Sequence, residues 1–216
     1  VYFSNKVKSI SGGDVQLRFH EPNALVPSLE VWDAVKNGSV DAGYTTPGYH
    51  AGKIPAVSYF TAVPFGPGAS EYHGWMEYGG GQQLKDRIYG EYGLKALNCL
   101  THAPETSGWF RKKINNVEEL KGMKMRFFGL GAMVMSKLGV STQLLAGGDI
   151  YPALEKGVID ATEFSMPTHD LSYGFYQLAK FNYFPGWHQQ TSIGELLMST
   201  KGWGGLTKTQ QAVINL

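Results

Sequence analysis

The chain has 216 residues, a formal net charge of +1, and 43% hydrophobic against 17% charged residues. That balance supports a buried core and excludes a disordered chain, and the near-zero charge excludes nucleic acid as a partner, which needs a basic face. A single cysteine, Cys99, excludes an internal disulfide framework and a cysteine-based zinc site.

The pattern opens on a helix from Val1 to Ile10, with Phe3, Val7 and Ile10 on one face. Val15–His20 alternates apolar and polar residues and reads as a strand. Ser28–Lys36 is a short amphipathic helix carrying Leu29, Trp32 and Val35, stopped at Asn37-Gly38. A strand follows over Ser39–Thr45. Helices are expected over Ser70–Tyr78 and Gln82–Tyr92, separated by Gly79-Gly80-Gly81. Leu94–His102 is a long strand and Trp109–Lys113 another. Asn116 caps a short helix through Leu120. Strand Lys124–Phe128, helix Ala132–Leu138, strand Val140–Leu145, a helix capped by Asp149 and ending at Lys156, and strand Val158–Phe164 complete the pattern. A last helix spans Leu206–Leu216. Strand–helix alternation of this kind is an α/β architecture.

The segment Lys36–Ala42 is echoed by Glu155–Ala161. In both, a short helix ends at Gly and a strand starts with an apolar residue, Asp and Ala. The echo reads either as a common αβ turn or as two similar α/β lobes. In the second case a ligand site belongs in a cleft at the strand carboxyl ends. The chain starts inside one helical pattern and ends inside another, without an initiator Met or a leader. It therefore reads as a segment of a longer protein. No run approaches the ~18 apolar residues of a membrane span.

Several enzyme signatures fail. Gly129-Leu130-Gly131 has two glycines of a dinucleotide fingerprint, but Val134 stands at the third. There is no P-loop lysine, no His-Glu-x-x-His and no Gly-x-Ser-x-Gly. The six histidines, His20, His50, His73, His102, His169 and His188, never pair at metal spacing. What remains is an anion anchor and a carboxylate. Arg126 ends a strand ahead of Gly129-Leu130-Gly131 and a helix start, a place where a planar fork grips a carboxylate bidentately. Glu163 ends the strand from Val158 and needs a cation, either an arginine or a hard metal ion.

The run Leu120–Arg126, then Leu138-Gly139-Val140, then Gly148–Glu163, resembles the solute-binding proteins of TRAP (tripartite ATP-independent periplasmic) transporters. Ser11–Asp14, Asn37–Gly43, Gly52–Ala56, Pro64-Phe65-Gly66 and Gly79–Gly81 fit the same pattern. The resemblance covers essentially the whole chain and looks closest to the branch that binds 2-oxo or 2-hydroxy acids. It implies an α/β, two-lobe, periplasmic-binding-protein-like fold of the Venus flytrap type with β linkers. By that pattern the chain lacks the first strand and the carboxyl-terminal helices. Residues 1–101 are then mostly lobe 1, 102–187 mostly lobe 2 with hinge strands at its edges, and 188–216 the return segment and the start of the carboxyl-terminal helices.

The implied function is a periplasmic receptor, not an enzyme, that binds a small organic acid between its lobes for delivery to TRAP membrane permease subunits. A homodimer of the full-length protein and a bound Ca²⁺ or Na⁺ are part of the same expectation. By resemblance, Arg126 holds the acid, and Glu163, the carbonyl of Phe164 and a side chain at position 105 hold the metal. The chain departs from the pattern in three places. Position 105 is Glu105 where Gln is expected, position 164 is Phe164 where Trp is expected, and position 189 is Gln189 where an acid is expected. If these groups share a site, Glu and Gln have traded places with no change in summed charge. The candidate substrate residues are Arg126, Glu105, Glu163, Phe164, Gln189, Glu21, Trp187 and Phe127, and the metal residues are Glu163, Phe164, Glu105 and Gln189. Tyr44, Tyr49, Trp109 and Phe65 are further candidates for the pocket wall. The other readings are a sensory domain on the same fold and a metal-assisted enzyme acting on a carboxylate.

Overall fold

The computed structural model describes residues 2–215. The opening helix runs Tyr2–Ile10 and the closing one Lys208–Ile214. Val1 and Leu216, included in the sequence-based expectation, lie outside the described residues. Eight strands are present among them: β1 (Ala42–Thr45), β2 (Leu94–His102), β3 (Gly108–Phe110), β4 (Lys124–Arg126), β5 (Ser141–Gln143), β6 (Ala161–Thr162), β7 (Phe181–Tyr183) and β8 (Ser192–Ser199). They form a three-stranded sheet, ordered β1-β8-β2, and a five-stranded sheet, ordered β5-β4-β6-β3-β7.

The chain divides into two compact units. The first contains residues 1–45, 83–99 and 195–216, and the second 46–82 and 100–194. The stretch 1–101, expected to be mostly one lobe, is therefore shared between both units, because 46–82 packs with the second. Likewise 188–194, expected in the return segment, belongs to the second unit.

In the first unit, Val7, Val15, Leu97 and Ile214 form a core that Leu17 and Leu196 flank. The helix Val31–Lys36 buries Trp32 and Val35, as its spacing predicts. It stops at Gly38, whose φ of +74° suits glycine. Val15–His20 is not a strand. Val15 and Leu17 point into the core, but the segment joins no ladder among the described residues. An alternating pattern records burial on one face, not the presence of a pairing partner.

In the second unit, β4 runs parallel to β5 and β6, and β3 runs antiparallel to β6 and β7. Successive residues of β3 face opposite sides of the sheet. Phe110 joins Met123, Met125, Phe127 and Met135 on one side. Trp109 joins Ile150, Leu154, Ile159 and Phe175 on the other. Helix Gly129–Lys137 contributes Met135 to the first core, and helix Gly147–Glu155 contributes Ile150 and Leu154 to the second. Asp149 lies in the first turn of its helix and is not the cap, which is Ala146. The acid still favours that end through the helix dipole. The ladder expected over Val158–Phe164 is only Ala161–Thr162, which frees Glu163 from pairing on one side.

Candidate functional site

Sheet topology alone gathers the functional side chains. Arg126 ends β4 and is paired with Thr162 of parallel β6, so Glu163, the next residue, emerges beside it. The Glu163 amide donates to the Arg126 carbonyl at 3.3 Å. Because β3 is antiparallel to β6, the residues ahead of β3 reach the same end. β7, antiparallel to β3, delivers the residues that follow it there too. Backbone bonds stitch these loops together. Gly186 N–H donates to the Glu105 carbonyl at 2.7 Å, and Glu105 N–H to the Gln189 carbonyl at 3.3 Å. Gly186 is needed for this approach, since a Cβ there would lie 2.7 Å from the Glu105 carbonyl oxygen. Thr106 N–H donates to the Ser165 carbonyl at 3.3 Å, tying the same loop to the end of β6.

Arg126 is 1% exposed and almost fully committed inside the protein. Its Nη1 donates to Glu163 Oε1 at 2.8 Å and to the Glu163 carbonyl at 2.9 Å, and its Nε to the Leu145 carbonyl at 3.1 Å. The guanidinium lies over the rings of Phe164 and Phe128, 5.3 and 5.9 Å from their centroids. Nη2 makes no hydrogen bond to a described residue. The expected bidentate grip on a carboxylate is thus reduced, because Glu163 already occupies Nη1.

His188 completes the cluster. It is fully buried, with Nε2 at 3.6 Å from Glu105 Oε2 and 3.5 Å from Glu163 Oε2. Those separations suit an ion pair but are long for a hydrogen bond. Phe127 meets the imidazole edge-on at 4.9 Å, and Trp187 flanks it at 5.7 Å. Burial alone would lower the His188 pKa, but the two carboxylates outweigh it and raise the value to about 9. Burial pushes Glu105 up to about 7, against the pull of His188. Glu163 ends below the usual carboxylate range, because Arg126 and His188 overcome the cost of its burial.

Glu105, Glu163 and His188 each offer one ligand atom, and these atoms all lie within 4.8 Å of one another. Glu163 Oε2 and both His188 ring nitrogens are buried without a hydrogen-bond partner. Buried polar atoms left unpartnered around one point are costly unless something joins them. The set fits a cation. Histidine spacing along the sequence gave no sign of such a cluster, which is assembled by sheet topology from three separate loops.

Of the residues predicted from sequence, Arg126, Glu105, Glu163, Phe164, Phe127 and Trp187 come together in the second unit, with Gln189 2% exposed in the same loop as His188. Glu21 is exposed in a loop of the first unit. Of the aromatic candidates, Tyr49 packs edge-on against Phe128 at 5.7 Å and Phe65 against Trp187 at 6.0 Å. Tyr44 is exposed in the first unit. Trp109 is core, and its indole N–H donates to Asp170 Oδ2 at 2.8 Å.

Asp170 was not singled out in the sequence. It is fully buried, its Oδ1 has no partner, and burial, together with the charges of Glu105 and Glu163, raises its pKa from 3.8 to about 7. The folded protein therefore holds a proton that the unfolded chain releases from about pH 4 upward. Its contribution to stability is greatest below the unfolded value and is lost as pH rises to about 7. Asp170→Asn keeps an acceptor for Trp109 and removes the titration. In metal-free protein, the stability of the variant relative to wild type should improve by up to about 4 kcal/mol between pH 4 and pH 8. Denaturant melts at the two pH values measure this, and a pH-independent difference would refute it.

The model of the family described as bacterial extracellular solute-binding protein, family 7, matches residues 1–215. The chain belongs to this family. A monocarboxylate 2-oxoacid-binding periplasmic protein from Nostoc sp. is 38% identical over 97% of this chain and 58% of its own length. Among solved structures, a TRAP transporter solute-binding protein from Bordetella bronchiseptica superposes with a TM-score of 0.96 at 36% identity, over 99% of this chain and 63% of that one. It is described with calcium and picolinate in its active site. A TRAP periplasmic solute-binding protein from Pseudoalteromonas atlantica, with bound sodium and pyruvate, gives 0.94 at 34% identity, over 98% of this chain and 64% of that one. The chain thus spans about three fifths of the length of these relatives. These superpositions bear out the α/β fold expected from the sequence. No helix among the described residues is long and apolar enough to cross a membrane.

Proposed function

We propose that this chain is the ligand-binding part of a TRAP-type solute receptor for a small 2-oxo or 2-hydroxy monocarboxylate, held together with a metal ion. The observation that carries the reading is the buried Arg126–Glu163 pair at the ends of adjacent parallel strands, with Glu105 and His188 facing the same carboxylate. Arg126 Nη2 would take one oxygen of the acid's carboxylate, and a cation between Glu105 and Glu163 would take another oxygen and the 2-oxo group. Phe127, Phe164 and Trp187 would wall the acid's short apolar end, and Gln189 would add an amide oxygen to the metal. The ligands of the two Bordetella and Pseudoalteromonas relatives, picolinate and pyruvate, both place a carboxylate beside a second donor atom, which suits this arrangement. On this reading the protein works in the periplasm, delivers its ligand to TRAP permease subunits, performs no catalysis, and in full-length form pairs with a second copy.

A thermal-shift series on the intact protein tests the substrate class. Pyruvate and longer 2-oxo acids should raise the melting midpoint with saturating dependence, and EDTA should reduce the shift. Plain monocarboxylates lacking the 2-oxygen should shift it far less. Equal shifts for butyrate and 2-oxobutyrate would sink the metal-chelate part of the reading.

A further inference from the structure

We infer that His188 is a direct metal donor and that its nitrogen turns this site from calcium or sodium towards a borderline divalent cation such as zinc or cobalt(II). The inference rests on the proposed receptor reading and concerns the same site. Hard cations such as Ca²⁺ and Na⁺ take oxygen ligands, whereas an imidazole nitrogen favours zinc, cobalt and nickel. Here the three side chains whose ligand atoms cluster within 4.8 Å are two carboxylates and one imidazole. The imidazole is positioned for the task rather than for packing. Its ring is held edge-on by Phe127 and flanked by Trp187, and both its nitrogens are buried without a hydrogen-bond partner. Nε2 is nearly equidistant from the two carboxylates, at 3.6 and 3.5 Å. An imidazole serving only as a core side chain would find a hydrogen-bond acceptor or donor for at least one nitrogen.

Charge counting supports a divalent ion. Glu105 and Glu163 carry two negative charges, and Arg126 returns one. A divalent ion plus a monocarboxylate, with neutral His188, neutralises the buried set. With His188 ligating as a neutral imidazole, sodium would leave one buried negative charge without compensation, which is expensive in a site this buried. The departure from the family pattern at Glu105 then acquires a reason. Glu105 supplies a carboxylate on the side of the site that His188 also faces.

The experiment uses the intact protein, stripped with EDTA and titrated with Zn²⁺, Co²⁺, Ca²⁺ and Na⁺ by calorimetry, with and without pyruvate. X-ray absorption of the cobalt- or zinc-loaded protein reads imidazole coordination directly. The expected result is Zn²⁺ and Co²⁺ binding at least about 10-fold tighter than Ca²⁺, with imidazole scattering that disappears in His188→Gln. The same variant should lose at least about 10-fold in zinc affinity while keeping or gaining calcium affinity. Calcium binding as tightly as zinc overturns the inference and leaves the receptor reading standing, whereas pyruvate binding of full strength without any metal overturns the inference and the metal part of that reading while leaving the acid-receptor part. A folded wild-type protein that binds neither pyruvate nor any of the four ions overturns both.

Discussion

Arg126→Met is expected to abolish 2-oxo acid binding and to lower stability by about 3–5 kcal/mol. The side chain is buried, and its Nη1 and Nε serve three oxygens of the protein itself, Glu163 Oε1, the Glu163 carbonyl and the Leu145 carbonyl. Removing the guanidinium strips all three of a donor. It also leaves the Glu163 carboxylate buried with only His188, 3.5 Å away, as a cation. Breaking a buried pair from one side is the costly case, whereas replacing both partners is often close to neutral. Arg126→Met/Glu163→Gln should therefore recover much of the lost stability but none of the binding. Chemical denaturation reads the first effect, and calorimetric titration with pyruvate reads the second. Pyruvate binding of wild-type strength in the folded double variant would show that Arg126 holds the site together without holding the acid. Arg126→Lys separates charge from shape. It keeps a cation but cannot reach Glu163 and Leu145 while offering a free nitrogen, so binding should weaken by more than about 10-fold.

Local chemistry made part of this legible in the sequence. The echo between Lys36–Ala42 and Glu155–Ala161 is a real structural repeat. Gly38 and Gly157 both sit at positive φ, +74° and +69°, just past a helix end. In each copy the residue after the glycine donates back into the helix, Ser39 to Ala34 at 2.8 Å and Val158 to Ala153 at 2.9 Å. Each turn then feeds a strand starting at Ala42 or Ala161, one in each unit. Arg126 and Glu163 were legible for the same reason, since an ionic residue at the end of an apolar strand has few ways to be satisfied. His188 and Asp170 were not. His188 gains its meaning from Glu105 and Glu163, which reach it through antiparallel β3 and parallel β6, and no local spacing encodes that. Asp170 gains its meaning from Trp109, which the aromatic pattern marked as a pocket wall and the fold uses as core. The division into units was also non-local, because 46–82 leaves the unit it precedes in the chain and packs with the other.

The first unit holds a second buried charge pair, and there Glu195→Ala should cost about 3–5 kcal/mol. Lys85 Nζ lies 2.7 Å from Glu195 Oε2, and both side chains are completely buried. The pair is also fully satisfied, in contrast to the His188 cluster. Lys85 donates to Asn98 Oδ1 at 2.7 Å, and the Tyr89 hydroxyl donates to both Glu195 oxygens at 2.9 and 3.1 Å. Lys85 Nζ also lies over the Tyr89 ring, 5.3 Å from its centroid. Burial still pushes the Glu195 carboxyl above its usual pKa, with Lys85 and Tyr89 opposing. A network in which both buried charges are paired and hydrogen-bonded serves stability and specificity. Glu195→Ala would leave the Lys85 ammonium buried without its carboxylate partner and would take two acceptor oxygens from the Tyr89 hydroxyl. Lys85→Met/Glu195→Leu removes both charges and replaces them with apolar volume. It should be far less damaging than Glu195→Ala and should leave acid and metal binding in the second unit intact. Denaturant unfolding of the three proteins decides the point: a double variant as unstable as Glu195→Ala would mean that packing around β8 matters here and the ion pair does not.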